Sequence, residues 1–330
     1  MKSLIFFFCL IISNSFLAQE KPCLRESDRI RINEAFKIEE IYGNKIWKDW
    51  HNVPFAIDLI TDSTEFLIRH PVPTPDFKLL GYDSTLQSNI FYRKRILNQH
   101  FLATFPAFGK LSTIVVGIPE NTKKSSVAWI ITLLHEHFHQ LQMAQEDYYT
   151  SVNELDLSGG DNTGMWMLNY PFPYEDKNVN AAYDSLKIAL TSALKSLDAI
   201  NKNALIKDYL KKKKLFKNLI SEKDYKYFSF QLWQEGIARF TELNITKIII
   251  DNSYVFSDEV KKLNDYVELK AFYDDYYTNE INNINGLSLY NSKRVCFYAI
   301  GAGEGFLLDF DNPGWKDLYF NNKFFLEKYY

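Results

Sequence analysis

Apolar and polar positions divide the chain into a mixed first part and a helical remainder. Ile30, Ile32, Ala35, Phe36, Ile38 and Ile41 recur among charges at helical spacing, which predicts a helix capped by Ser27 and reaching Trp47 or Trp50, with Gly43 marking a break. Residues 53–60 and 64–68 read as short strands around the turn residues Thr61, Asp62 and Ser63. Pro71, Pro73 and Pro75 then force an extended loop, because each fixes its own φ and restricts the residue before it. Residues 111–118 form the strongest strand in the pattern, a β-branched run between Gly109 and Pro119. An apolar helix follows after a short turn, from about Ser125 to Tyr148.

Between Tyr148 and Tyr174 the residues Gly159, Gly160, Gly164, Pro171 and Pro173 mark a structured loop. Helical spacing returns from Val179 through Tyr183, Leu186, Leu190 and Leu197, and a second helix is expected over residues 204–220. Its run Lys211 to Lys214 reads as a solvated face. Further helices are expected over residues 225–243, around 260–277, and over 293–308 before Asn312-Pro313-Gly314. No repeat, low-complexity linker or boundary interrupts the chain. The expected fold is therefore α+β in a single unit, 20–330, with a mixed half, 20–148, and a mainly helical half, 149–330.

Composition narrows the class. Of the 330 residues 46% are hydrophobic, with 21 Tyr and 26 Phe, which suits a packed core rather than disorder. A net charge of -3 offers no electrostatic case for nucleic acid. Residues 1–19 read as a signal peptide: Lys2, then an apolar run from Leu4 to Ile12 too short to span a bilayer comfortably, then cleavage after Ala18 or Gln19. Phe6-Phe7-Phe8 before Cys9 lacks the small residues of a lipoprotein signal. A secreted or periplasmic protein with no stable membrane insertion after cleavage is expected. Cys23 and Cys296 would then remain and could pair, although two distant cysteines make no disulfide framework. A glycan on the sequon at Asn244 would sit awkwardly beside a helix of the candidate site.

Candidate chemistry lies in His135-Glu136-His137-Phe138-His139, which contains three of the six histidines. Read as H-E-x-x-H on a helix, it sets His135 and His139 one turn apart on one face, able to bind one zinc, with Glu136 beside them to activate a water. His137 falls about 200° around the helix from His135, since each residue advances about 100°, and is expected to be structural. His51, His70 and His100 have no supporting neighbours in sequence. A hydrolytic zinc also needs a third ligand and one open position. Trp233-Gln234-Glu235-Gly236-Ile237-Ala238-Arg239-Phe240-Thr241-Glu242 offers Glu235, an acid in an apolar helix where burial is costly unless the carboxylate is paired or bound to a metal. Gly236 costs about 1 kcal/mol relative to Ala in a helix interior, which invites a close approach to another helix. Glu242, two turns on, is placed to hold the second ring nitrogen of a ligand histidine.

These two segments together resemble the gluzincin metallopeptidases, the H-E-x-x-H plus glutamate branch of the thermolysin-like clan. Glu235-Gly236-x-Ala238-x-Phe240-x-Glu242 is similar to the form found in aminopeptidase-type members. The resemblance implies a zincin-like fold, a small N-terminal sheet with the active-site helix packed on it, and Zn2+ as cofactor on His135, His139 and Glu235. It implies Glu136 as general base in peptide-bond hydrolysis, with a peptide or protein as substrate. The strand before the zinc helix binds substrate backbone in that family, a role that falls here on Thr113, Ile114, Val115 and Val116. A tyrosine beyond the third ligand usually stabilises the oxyanion; Tyr298, ahead of Gly301, is the candidate, with Tyr290 behind it. His139 and Glu235 lie much further apart than in thermolysin, and the helices between residues 178 and 220 read as an insertion forming a wall or lid. Two alternatives stay open: a zinc hydrolase of a non-peptide bond, and a non-catalytic binding protein stabilised by zinc. Glu136 argues against the second, since a structural site needs no base. Oligomeric state, exo- or endopeptidase character and cleavage preference are not legible.

Overall fold

The structure is a computed structural model that describes residues 21–330; the leader expected at 1–19 lies outside the described residues. Helix α1 (Glu26–Ile46) begins after Arg25 rather than at Ser27, and it continues through Gly43 without a break. Six strands follow: β1 (Ile57–Ile60), β2 (Thr64–Ile68), β3 (Lys78–Asp83), β4 (Ser88–Lys94), β5 (Leu102–Phe105) and β6 (Thr113–Gly117). They form one mixed sheet in the order β3-β4-β2-β1-β6-β5, in which only β1 and β6 run parallel.

Two elements then continue the chain, the single turn α2 (Pro119–Thr122) and the histidine helix α3 (Ser126–Met143). Ser125 caps α3 by accepting from the Ala128 amide, and Trp129 Nε1 donates to the Gly117 carbonyl at 2.8 Å, tying helix to sheet. Ile57, Leu59, Phe66, Ile68, Ile114 and Val116 point into the main core with α1 and α3, while Leu67, Phe77 and Phe108 form a smaller cluster on the sheet's other face.

The C-terminal half is helical: α4 (Tyr148–Glu154), α5 (Trp166–Asn169), α6 (Lys177–Lys195), α7 (Ala199–Leu219), α8 (Glu222–Gln231), a π-helical turn (Leu232–Gly236), α9 (Ile237–Asp251), α10 (Asp258–Lys261), α11 (Leu269–Tyr277), α12 (Leu289–Ser292), α13 (Cys296–Asp311) and α14 (Trp315–Tyr319). The fold is thus α+β, a six-stranded sheet in the first half and mostly helices in the second. Short helices α4 and α5 occupy the segment expected to be loop. Among the described residues no helix is long and apolar enough to cross a membrane.

Three sequence expectations need correction. Residues 113–116 cannot serve as a substrate-binding edge, because β6 is interior: β1 pairs with one side of it and β5 with the other. Strand β5 holds the edge instead. The lysine run on α7 is not uniformly solvated either; Lys213 is only 2% exposed, its amine 2.7 Å from Glu304 on α13 and 3.0 Å from Glu327. A buried ammonium requires such partners. Nor do Cys23 and Cys296 pair: Cys23 is a surface thiol, whereas Cys296 is buried at the start of α13 and donates to the Lys293 carbonyl.

Beneath the sheet's second face Asp58 is fully buried on β1, opposite Leu67 and Val115, and among the described residues neither of its carboxylate oxygens has a hydrogen-bond partner. Burial, reinforced by the nearby Glu65, pushes its carboxyl well above the usual range, against the pull of Arg93. Between the ordinary carboxylate pKa and this raised one the folded protein binds more protons than the unfolded chain, so stability falls as pH rises through that window. Asp58→Asn is expected to flatten that slope and to melt above the parent at about pH 8, with the difference shrinking toward about pH 5, as thermal melts across that range would read.

Candidate metal centre

Helix α3 carries His135 and His139 on the side facing Glu235 and α9 and turns Glu136 toward β5, all three at 5–6% exposure. The Nε2 atoms of His135 and His139 are 3.2 Å apart, and Glu235 Oε2 stands 3.8 Å from the first and 3.4 Å from the second. Ligands at about 2.0–2.1 Å from a tetrahedral cation are spaced about 3.3 Å apart, so these three atoms have the separations that one bound metal requires. They form the cluster among the described residues that could hold a metal ion.

The outer nitrogens decide how the rings are protonated. His135 Nδ1 lies 3.1 Å from Glu242 Oε2, and His139 Nδ1 lies 2.7 Å from Gln142 Oε1. Both oxygens accept, so each Nδ1 carries a proton, and each Nε2 is the atom left to present a lone pair to a cation at the shared point once it bears no proton of its own. The Gln234 amide nitrogen also approaches His139 Nδ1, at 3.1 Å, but the nearer Gln142 oxygen sets the tautomer. Burial alone would depress the His135 imidazolium; its hydrogen bonds to Glu235 and Glu242 outweigh that and hold its pKa at about 9. The paired charges likewise keep Glu235 well below the usual carboxylate range in spite of its burial, the closest influence being His139. A cation bound here would displace the proton on His135 and take its place beside Glu235.

Glu235 reaches the histidines from the π-helical turn, one residue before Gly236. A π turn inserts one residue and leaves backbone carbonyls without their regular partners. Gln142 answers this directly: its amide donates to the carbonyls of Trp233 and Gln234 at 3.2 and 3.1 Å, while its oxygen receives the His139 proton. One side chain thus locks the turn to the helix that carries the other two ligands. Gly236 has the close approach its position suggested, since a Cβ there would meet Gly301 Cα at 2.4 Å. Behind His135, Glu242 also accepts from Tyr276 on α11 at 2.8 Å and lies 3.5 Å from the Arg239 guanidinium.

Glu136 touches the edge strand. Thr104 Oγ1 on β5 lies 2.8 Å from Glu136 Oε2 and 2.9 Å from the Glu136 carbonyl, sharing its proton between them. Tyr298, one turn before Gly301 on α13, accepts from Arg294 at 2.9 Å. Burial and the adjacent Glu235 carboxylate push its phenol upward, which keeps it a hydrogen-bond donor. Tyr290 is 56% exposed and plays no comparable part.

His137 points elsewhere, as its position on the helix requires. It stacks on Phe55 with ring centroids 3.9 Å apart, and its Nδ1 meets Gln140 at 2.8 Å. Burial pushes its pKa down to about 3, so the ring is neutral. Thr104, Gln142, Tyr276 and Arg294 are the contributors that sequence reasoning missed. Gln142 follows His139 at one-turn spacing and could have been found that way; the others come together only through tertiary packing.

No family model, curated protein or solved structure matches the chain. The arrangement of side chains therefore carries the functional argument.

Two variants test the ligand assignment through metal content, with circular dichroism as the control for folding. Glu235→Ala is expected to purify without stoichiometric metal, whereas Glu242→Gln should retain it with affinity about 10–100-fold weaker in a competition titration against a chelator dye. Full stoichiometry and unchanged affinity in Glu235→Ala would remove Glu235 from the site.

Proposed function

We propose that this chain is a secreted or periplasmic zinc metallopeptidase of gluzincin type. The carrying observation is the convergence of His135 Nε2, His139 Nε2 and Glu235 Oε2 at metal-ligand spacing, with the acid Glu136 held next to them by the edge strand. Two imidazoles and one carboxylate are a donor set that suits zinc with an open position, the arrangement of hydrolytic rather than structural sites. The mixed sheet with α3 packed on it supports a zincin-like reading of the fold. The N-terminal sequence pattern supports export.

When bound, zinc supplies Lewis-acid polarisation of the scissile carbonyl and a water of lowered pKa. The chain's own residues supply the rest. An extended peptide adds to the free side of β5 through main-chain hydrogen bonds, which brings its backbone alongside Glu136. Glu136, oriented by Thr104, takes the proton of the attacking water and passes it to the departing amine as the C–N bond breaks. Tyr298 donates to the carbonyl oxygen as negative charge develops there. Arg239 is balanced by Glu242 and Glu280, at 3.5 and 3.3 Å, so it serves the support behind His135 and not the proton transfer.

The zinc-loaded mature protein is expected to cleave members of a mixed peptide library, read by mass spectrometry. Glu136→Gln should keep zinc and lose at least about 100-fold in kcat, the usual scale for removing a general base. Tyr298→Phe should lose about 100–1,000-fold in kcat with a smaller change in KM, because the phenol acts on charge that exists only in the transition state. Zinc at full stoichiometry with no Glu136-dependent cleavage of any peptide would redirect the assignment to hydrolysis of another bond.

A further inference from the structure

Near the metal centre two arginines face Tyr298, and they differ in how their charge is met. The Arg239 guanidinium lies 5.6 Å from the Tyr298 ring centroid and is flanked by two carboxylates, Glu242 and Glu280. Arg294 enters from the turn that precedes α13, half-buried, with its guanidinium carbon 5.8 Å from the same centroid. No carboxylate among the described residues forms an ion pair with it, and its one side-chain hydrogen bond goes to the neutral Tyr298 hydroxyl. The contrast matters because a partly desolvated guanidinium ordinarily gains a counter-charge, as Lys213 does between Glu304 and Glu327 in the same half of the chain.

Burial alone would lower the Arg294 pKa; the neighbouring Tyr298 oxygen and the Glu235 carboxylate offset this, so the field of Glu235 reaches it. Glu235, however, is committed to the histidines. A divalent cation on those three ligands would neutralise it and leave the Arg294 guanidinium without compensation. The guanidinium has five donors in a planar fork and gives one to Tyr298, leaving an edge free for a two-oxygen acceptor. Its position is held: Tyr298 is one turn along the same helical segment, and Lys293, immediately before it, sits at φ 46°, ψ −134°, a backbone conformation that side chains rarely adopt.

We propose that Arg294 anchors a carboxylate of the peptide substrate, making this a peptidase selective for substrates that carry a carboxylate next to the scissile bond. The inference rests on the peptidase reading above. Either the free C-terminus or an Asp or Glu side chain supplies the group, and both present the same planar pair of oxygens to the fork.

The test uses zinc-loaded Glu136→Gln protein, which holds peptides without turning them over, and isothermal titration calorimetry with matched synthetic peptides derived from a cleaved library member. One pair differs only in a C-terminal acid or amide, a second only in Asp or Asn beside the cleaved bond. Loss of the decisive carboxylate is expected to weaken binding about 10–100-fold, as for a charge-assisted two-pronged contact. A difference in the first pair assigns the anchor to the C-terminus, and a difference in the second assigns it to a side chain. Adding Arg294→Ala or Arg294→Gln should erase that difference, while Arg294→Lys restores part of it; zinc content and melting temperature certify that the variants are folded. Equal binding across both pairs, or a carboxylate preference that survives in both neutral variants, overturns the proposal while leaving cleavage intact. A zinc-loaded parent that neither binds nor cleaves any peptide overturns the peptidase reading and this inference together.

Discussion

Two glycines meet where no methyl group would fit, and the site depends on that contact. A Cβ on Gly236 would lie 2.4 Å from Gly301 Cα, and one on Gly301 would lie 2.6 Å from Gly236 Cα and from the Leu232 carbonyl. Backbone therefore lies directly on backbone where α13 crosses the π-helical turn. Glu235 precedes Gly236 by one residue and Tyr298 precedes Gly301 by one turn, so the same crossing that excludes side chains at its centre sets an acid and a phenol side by side at its rim. A side chain at either glycine would force the helices apart, and overpacking of this kind costs about 1–3 kcal/mol before any effect on the site is counted. The cost of two glycines in helical backbone is thus offset by a geometry that larger residues cannot reach.

Burying Glu235 beside two imidazoles would be unfavourable if those groups stood alone. They do not, because the outer nitrogen of each imidazole has a hydrogen-bond partner that is itself tied to another element. His135 leans on Glu242, which accepts from Tyr276 of α11; His139 leans on Gln142, whose amide occupies carbonyls that the π turn releases. The network joins α3, the π turn, α9 and α11, and a change in any one would disturb ring orientation before it disturbed the ligands themselves. On the other side of α3, Gln140 bonds the carbonyls of Ala56 and Ser112 while His137 packs on Phe55. The helix is thus fixed to the sheet by its middle histidine and to the helical half by its outer two.

How much of this was legible depended on whether local periodicity carried the information. His135, His139, Glu235 and Glu242 were visible because helical spacing alone decides which side chains share a face, and α3, α6, α7 and α13 followed from apolar repeats. Strands β3, β4 and β5 were not visible: they are largely half-exposed or exposed, and they lack a continuous apolar run. Lys213 was misjudged because its three neighbouring lysines resemble a solvated face, while its actual setting is decided by Glu304, a buried acid on a helix far along the chain. Arg294 carries no local signal at all. Its significance is the lack, among the described residues, of an ion pair on a half-buried guanidinium, a property that exists only after packing.

The misplaced substrate strand shows why function and pattern strength can oppose each other. An unbroken β-branched run such as residues 113–117 is the mark of a strand buried on both faces, and a strand of that kind tends to lie inside a sheet with both edges paired. β6 does so, between β1 and β5. A strand that must accept a passing peptide needs the opposite properties: one free edge and enough polarity to leave that edge wet. Leu102-Ala103-Thr104-Phe105 has the free edge and is half-exposed at three of its four positions, and its one buried residue, Thr104, is the residue that reaches Glu136. On the proposed reading, backbone alignment and base orientation come from the same four residues, so a peptide in register on β5 would be in register for the proton transfer as well.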